Sequence, residues 1–280
     1  MSTTPTRPGT PQDPELRDRY LRDAHVAREA HRAEAARLAA EVPPAHTPAG
    51  PIRVVAALVT LALVAVVGVL LVGPMLKQTS ASEQALPSDT TRLVVDNAVG
   101  DVRVRVAEAG ESPRVTGTTE WGLRRPDVSV DSTDGTTTLH AMCPRGFITT
   151  CSTDWVVVVP VGTSVDISQG VGAVHVEGIE GDVAIESGVG DVEITEATSS
   201  RVDVELGVGS ALIEAVEPPD HVEASVGVGD LSVRLPDTVD YRIDADAGTG
   251  GASNLLGSTP DSERQVVLQT GLGGLSVGPS

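Results

Sequence analysis

The stretch VAIESGVGDVEI, running from Val183 to Ile194, decides how this chain folds. Val183 and Ile185 stand two apart before its glycines, and Val192 and Ile194 stand two apart after them. Period-two alternation marks strands with one buried face, and Val and Ile suit a pleated, packed surface. The glycines interrupt the alternation, as expected where the backbone turns a corner at positive φ or lies against a neighbouring segment.

The same twelve-residue frame, apolar–x–apolar–x–x–Gly–apolar–Gly–x–apolar–x–apolar, occurs seven times, beginning at Leu93, Val165, Val183, Val202, Val222, Ile243 and Val266. The second glycine is present in every copy: Gly100, Gly172, Gly190, Gly209, Gly229, Gly250 and Gly273. The first is replaced once, by Ala98. Between the glycines stands Val99, Val171, Val189, Val208, Val228 or Leu272, with Thr249 in the remaining copy. An apolar residue there is expected to point inward at the corner.

From Val165 onward the copies start 18, 19, 20, 21 and 23 residues apart. A period of this size signals stacked coils, because one coil cannot bury its own apolar face. Stacking at about 4.8 Å lines Val and Ile into internal ladders. The expected fold class is all-β: a β-solenoid of stacked two-strand coils over 165–280. Residues 91–164 would form irregular β coils or a cap, with strand candidates Val115–Trp121, Val128–Val130, Thr136–Met142 and Trp155–Val161. An antiparallel sandwich with a turn at each glycine pair is the competing reading.

Upstream, Val54–Leu76 is a run of 23 residues without a charge, long enough to cross a hydrocarbon core of about 30 Å. It predicts a transmembrane helix over 54–76. A buried soluble helix and a cleaved signal peptide are the alternatives, but a signal peptide's apolar region is shorter and lies closer to the N-terminus. Eight arginines precede the run (Arg7, Arg17, Arg19, Arg22, Arg28, Arg32, Arg37 and Arg53), which favours a cytoplasmic N-terminus. The expected localisation is the plasma membrane, single-pass, with the C-terminal domain extracytoplasmic. Residues 1–12 read as a disordered tail. A cytoplasmic helix is expected over 13–42, with Asp13 as N-cap and Pro14 in its first turn. Segments 43–53 and 77–90 read as linkers.

Beyond the run, 12 basic residues face 32 acidic ones, a net charge of −20. Nucleic acid is therefore not an expected partner, since phosphate backbones require a basic surface. Cys143 and Cys151 are the only cysteines, with seven residues between them. In an oxidising exterior a disulfide closing a hairpin-like loop is expected; two inert thiols are the alternative. The spacing matches no four-ligand zinc site.

Signals for chemistry are sparse. No H-E-x-x-H occurs. His140, His175 and His221 are scattered, and alternation points His175 outward. Asp101, Asp191 and Asp230 follow the second glycine, but Ala173, Ser210, Gly251 and Gly274 replace them elsewhere, so no regular calcium ladder is expected. No catalytic residue, cofactor or metal site is assigned, and no enzymatic activity is expected.

The strings GVGDV (188–192) and AVGDV (98–102), and the run GVGAVHVEGIEGDVAIESGVGDVEI (170–194), resemble a bacterial cell-envelope family known as the "putative adhesin" domain. The resemblance covers roughly 90–278. It implies a β-solenoid, extracytoplasmic placement beside a membrane anchor, and a binding or envelope-stress role, and it supplies no catalytic residues. The function expected is a membrane-anchored, adhesin-like binding or structural module whose ligand is an envelope polymer or protein. The alternative is an envelope sensor signalling through the 13–42 helix. Deleting residues 1–45 would leave an adhesin working and silence a sensor.

Overall fold

The computed structural model describes residues 14–41, 55–64, 68, 77–144 and 150–280. Its contacts divide the chain into two units, Met1–Val67 and Gly68–Ser280. The first holds helix α1 (Pro14–Glu41). From Leu21 to Leu38 its side chains are almost all exposed, as its alanine-rich sequence without a core-facing stripe dictates. The tail 1–12, Asp13 and the linker 43–53 lie outside the described residues.

The transmembrane helix expected over Val54–Leu76 requires correction. Among the described residues no helix is long and apolar enough to cross a membrane. Helix is described over 55–64 and at residue 68. The ten residues of 55–64 rise about 15 Å, half of a hydrocarbon core. The remainder of the run lies outside the described residues.

Among its described residues the second unit contains nineteen strands. Those outside the regular repeats, with the first copy, are β1 (Gln78–Ala85), β2 (Arg92–Val99), β3 (Val102–Val106), β4 (Arg114–Trp121), β5 (Asp127–Thr133), β6 (Thr136–Met142) and β7 (Cys151–Val159). The repeats continue with β8 (Ser164–Val171), β9 (Val174–Glu177), β10 (Val183–Val189), β11 (Val192–Ala197), β12 (Arg201–Val208) and β13 (Ala211–Ala215). They end with β14 (His221–Val228), β15 (Leu231–Leu235), β16 (Arg242–Thr249), β17 (Ala252–Asn254), β18 (Gln265–Leu272) and β19 (Leu275–Pro279).

These strands form two sheets. One has ten, in the order β1-β4-β7-β3-β9-β11-β13-β15-β19-β17, and the other nine, in the order β16-β18-β14-β12-β10-β8-β2-β6-β5. Each repeat contributes one strand to either sheet and changes sheet at its glycine pair. Neighbouring repeats pair in parallel and in register, so Val165, Val183, Val202 and Val222 align. Their inward side chains fill one core between the sheets: Val183, Ile185, Val192 and Ile194 are at most 3% exposed.

The expected β-solenoid of stacked two-strand coils is corrected by this topology. Among the described residues the strands make two separate sheets and no closed solenoid. The layer order is not the chain order: the Val266 copy lies between the Val222 and Ile243 copies, because β18 pairs with both β14 and β16. Likewise β2 is flanked by β8 and β6, so the chain between β3 and β8 makes an excursion that covers the stack's end. There three pairings are antiparallel: β1 with β4, β4 with β7, and β5 with β6. The competing antiparallel sandwich fails too, since the repeats themselves are parallel.

Strand β1 lies in a segment read as linker. Its sequence QTSASEQA carries no apolar alternation because it is a sheet edge with nearly every residue exposed. The opposite end is closed by side chains. Ser258 Oγ accepts from the Ile243 N–H (2.9 Å) and donates to the Ile243 carbonyl (3.0 Å), occupying the free edge of β16 as a neighbouring strand would.

Candidate ligand groove

The second glycines all have positive φ, between +129° and +156°. At Gly190 (φ +148°) a Cβ would overlap the carbonyl of Gly172 in the adjacent layer. At Gly188 it would stand 2.6 Å from the Gly170 carbonyl oxygen. Layers therefore meet backbone against backbone, and the ladder continues through the corner: the Gly190 N–H donates to Val208 O at 3.0 Å, and the Val192 N–H to Ser210 O at 2.9 Å. Ala98 is accommodated because the pairing of β6 with β2 stops at Asn97–Ala141, so no paired backbone faces its methyl.

This geometry reverses one expectation. The residue between the glycines points outward, not inward. Val171, Val189, Val208, Val228 and Leu272 are each 45–51% exposed. The position before the first glycine faces inward instead, as in buried Asn97, Gln169, Ser187, Leu206, Val226 and Thr270. Parallel pairing aligns Val99, Val171, Val189, Val208, Val228 and Leu272 in one row, ending on Thr249. The result is an apolar ridge crossing the strands. With layers about 4.8 Å apart, its seven positions span roughly 29 Å.

Beside the ridge runs a floor without side chains. In layer order it is made of Gly170, Gly188, Gly207, Gly227, Gly271 and Gly248, all exposed. Across that floor stands a wall of outward residues, among them Glu186, Glu205, Ser225, Gln269 and Asp246. A hollow of about 370 Å³ lies over Gly207, Gly227, Gly271 and Gly248. A second, of about 280 Å³, continues toward Asp166, Asp203 and Glu223, sharing Glu205 and Ser225 with the first.

The wall is electrostatically uncompensated. Glu186 and Glu205 are register partners on adjacent strands, about 4.8 Å apart along the stack. Among the described residues neither they nor Asp246 has an ion-pair partner. Their neighbours do: Arg92 holds Asp166 at 2.8 Å, and Arg201 holds both oxygens of Asp203 at 2.8 and 3.3 Å. Like charges set side by side without a counter-ion destabilise a sheet.

The aspartates after the second glycine have a structural role. The Asp101 carboxylate accepts the Ala173 N–H at 3.0 Å, Asp191 that of Ser210 at 3.0 Å, and Asp230 that of Gly274 at 2.7 Å. In layer order the residues run Asp101, Ala173, Asp191, Ser210, Asp230, Gly274, Gly251. From Asp101 onward every second layer supplies a carboxylate and the next supplies the N–H; at the stack's end Asp154, on the adjacent strand β7, accepts the Asp101 N–H at 2.9 Å.

Of the histidines, His140 and His175 lie on outward faces, 3.1 Å from Asp96 and Glu193 respectively. His221 meets Asp203 and Glu223, and one ligand atom from each of the three lies within 4.8 Å of the others. Arg201 already occupies Asp203, so the group is an ion-pair network that a cation would have to break. A disulfide joins Cys143 to Cys151, with Cα atoms 5.8 Å apart, tying the end of β6 to the start of β7. Residues 145–149 of that loop lie outside the described residues.

No family model matches the chain, and no curated protein does. Three solved structures are similar to it. A "putative cell adhesion protein" from Clostridium sporogenes is 14% identical over 72% of this chain and 100% of that one, with a TM-score of 0.46. A "putative adhesin" from Bacteroides fragilis is 15% identical over 71% and 97%, with a TM-score of 0.41. Another "putative adhesin", from Parabacteroides distasonis, is 8% identical over 72% and 97%, with a TM-score of 0.27. At such identities the likeness assigns no ligand and no activity.

Proposed function

We propose that the second unit is an adhesin-like binding module that works outside the cytoplasm. Its contact surface is the ridge-and-floor groove, and its ligand is an envelope polymer or protein. The observation that carries this reading is the exposed apolar row of Val171, Val189, Val208, Val228 and Leu272. Aligned apolar side chains in contiguous exposure mark interaction surfaces, and here the fold holds them rigidly at one repeat per layer. The Cys143–Cys151 bond supports an oxidising compartment. The chain before Gln78 would serve as the attachment to the envelope.

Two measurements test the reading. External protease on intact cells should remove the region after Gln78; its protection would refute extracytoplasmic display. Purified full-length chain on beads should retain isolated cell-envelope material, and the triple variant Val189→Thr, Val208→Thr, Val228→Thr should retain at least several-fold less. Thr249 shows that the frame accepts threonine at this position. Equal retention by the variant would remove the groove from the function.

A further inference from the structure

Resting on the reading of the groove as a binding surface, we propose its partner: a cationic amphipathic helix of about twenty residues, lying along the groove and across the strands. Three features of the groove specify that chemistry.

The first is charge. Glu186, Glu205 and Asp246 stand along one side of the glycine floor, and among the described residues none has a cationic partner. Two of them face each other in register. A partner bringing Lys or Arg to this wall relieves a repulsion built into the free protein, and the −20 charge of the region beyond Leu76 steers cations toward it. A second copy of the same acidic surface would increase the repulsion instead.

The second is shape. Val189 stands three positions after Glu186 along β10, roughly 10 Å at strand rise. An α-helix is about 10–12 Å across with its side chains. Laid on the bare floor of Gly188 and its counterparts, it would touch the acidic wall with one flank and the valine ridge with the other. Along the stack, the roughly 29 Å of ridge corresponds to about nineteen residues at helical rise. An apolar stripe flanked by basic residues is the pattern by which amphipathic helices enter grooves.

The third discriminates against sugars. Saccharide rings stack on exposed aromatic faces, and this groove has none. Trp155 and Tyr241 are buried, 0% and 3% exposed, and Trp121 lies on β4, where Arg125 covers its ring at 5.3 Å. A groove walled by Val, Gly and carboxylate suits a polypeptide helix better than a polysaccharide.

The test uses full-length chain and a fluorescent twenty-residue peptide of repeating Leu-Lys-Lys-Leu, read by anisotropy. Purified peptidoglycan sacculi and anionic phosphatidylglycerol vesicles are run in parallel by co-sedimentation. The peptide should bind, and raising salt from about 0.02 M to about 0.3 M should weaken it at least tenfold, since the Debye length falls severalfold. The double variant Glu186→Gln, Glu205→Gln should lose at least tenfold in affinity and most of the salt dependence. Val189→Thr, Val208→Thr should lose severalfold in affinity and keep the salt dependence. Glu193→Gln, on the other sheet, should bind as the parent does. No binding of the peptide, or binding that none of the groove variants weakens, would overturn the proposal. If sacculi or vesicles are instead retained in a manner that depends on Val189 and Val208, the partner chemistry is wrong while the binding reading stands. If nothing depends on these residues, both fall.

Discussion

The middle of the β unit and its two ends are built on different principles. From β8 to β15 the layers meet through backbone: glycine carbonyls lie where a neighbour's Cβ would be, and no side chain fits between them. At the ends side chains do the closing. Ser258 stands in for a missing strand on β16, and a disulfide ties the end of β6 to the start of β7. Near the same end, Glu111 binds Arg105 through both oxygens, at 2.6 and 2.7 Å, and Arg114 at 2.7 Å. Repetition is cheap to encode where one backbone geometry recurs. Ending a repeat requires individual side chains, because the last layer presents hydrogen-bonding groups with no further copy to meet them.

That contrast can be attacked most severely at Gly190. A β-branched side chain there meets both positive φ and the Gly172 carbonyl, so Gly190→Val should destabilise by at least about 2 kcal/mol in thermal or urea melts. A melt unchanged from the parent would show that the middle tolerates side chains and that the contrast is false. The end bond comes next. Replacing Cys143 and Cys151 by serine should cost up to about 2 kcal/mol. In hydrogen exchange the loss should appear in β6 and β7 and leave β10 to β13 protected. Protection lost evenly along the stack would mean the end is not a separate structure.

Ser258→Ala removes two hydrogen bonds from an edge that water can reach, so about 1 kcal/mol is expected, read as faster exchange at Ile243. The Glu111 cluster responds to acid. Hydrogen bonds from Arg105, then from Arg114, hold this carboxyl down at about 2, against an ordinary 4.5. A depressed folded-state value means the stabilisation is complete above about 4.5 and is lost as pH falls from there through about 2. Glu111→Gln should therefore lower the neutral melt modestly, where the stabilisation is present, and flatten the dependence of melting temperature on pH in that window; an unaltered acid slope would count against the cluster. The smallest effect belongs to Glu193→Gln, exposed between buried Val192 and Ile194. It should shift stability by no more than about 0.5 kcal/mol, and a large loss would upset the register of β11.

The strands of the repeats were legible because alternation is a direct consequence of one-sided burial, as Val183, Ile185, Val192 and Ile194 show. The ridge was misread for a physical reason. Two glycines flanking one residue, the second at positive φ, break the alternation, so hydrophobicity no longer indicates the inward direction for Val189. The layer order was hidden because every copy shares a frame and any copy can pair with any other. One signal was present all the same. The Ile243 copy carries Thr249 and Asn254 where the others carry valine, leucine or isoleucine, as suits an outermost layer. The glycine-floored trough left no mark of its own, since a missing side chain identifies a floor only when the residues beside it in space are known.

The place of the Val266 copy beneath the Ile243 copy has a consequence in time. During synthesis β16 and β17 leave the ribosome before the strands they rest on have been made. Until residues 265–279 follow, the open faces of β14 and β15 have no permanent neighbour, and the Ile243 copy must either wait unpaired or occupy a place it later yields. Assembly of this end thus cannot track translation residue by residue. A chain interrupted at Arg264 would keep its outermost copy without the layer meant to carry it.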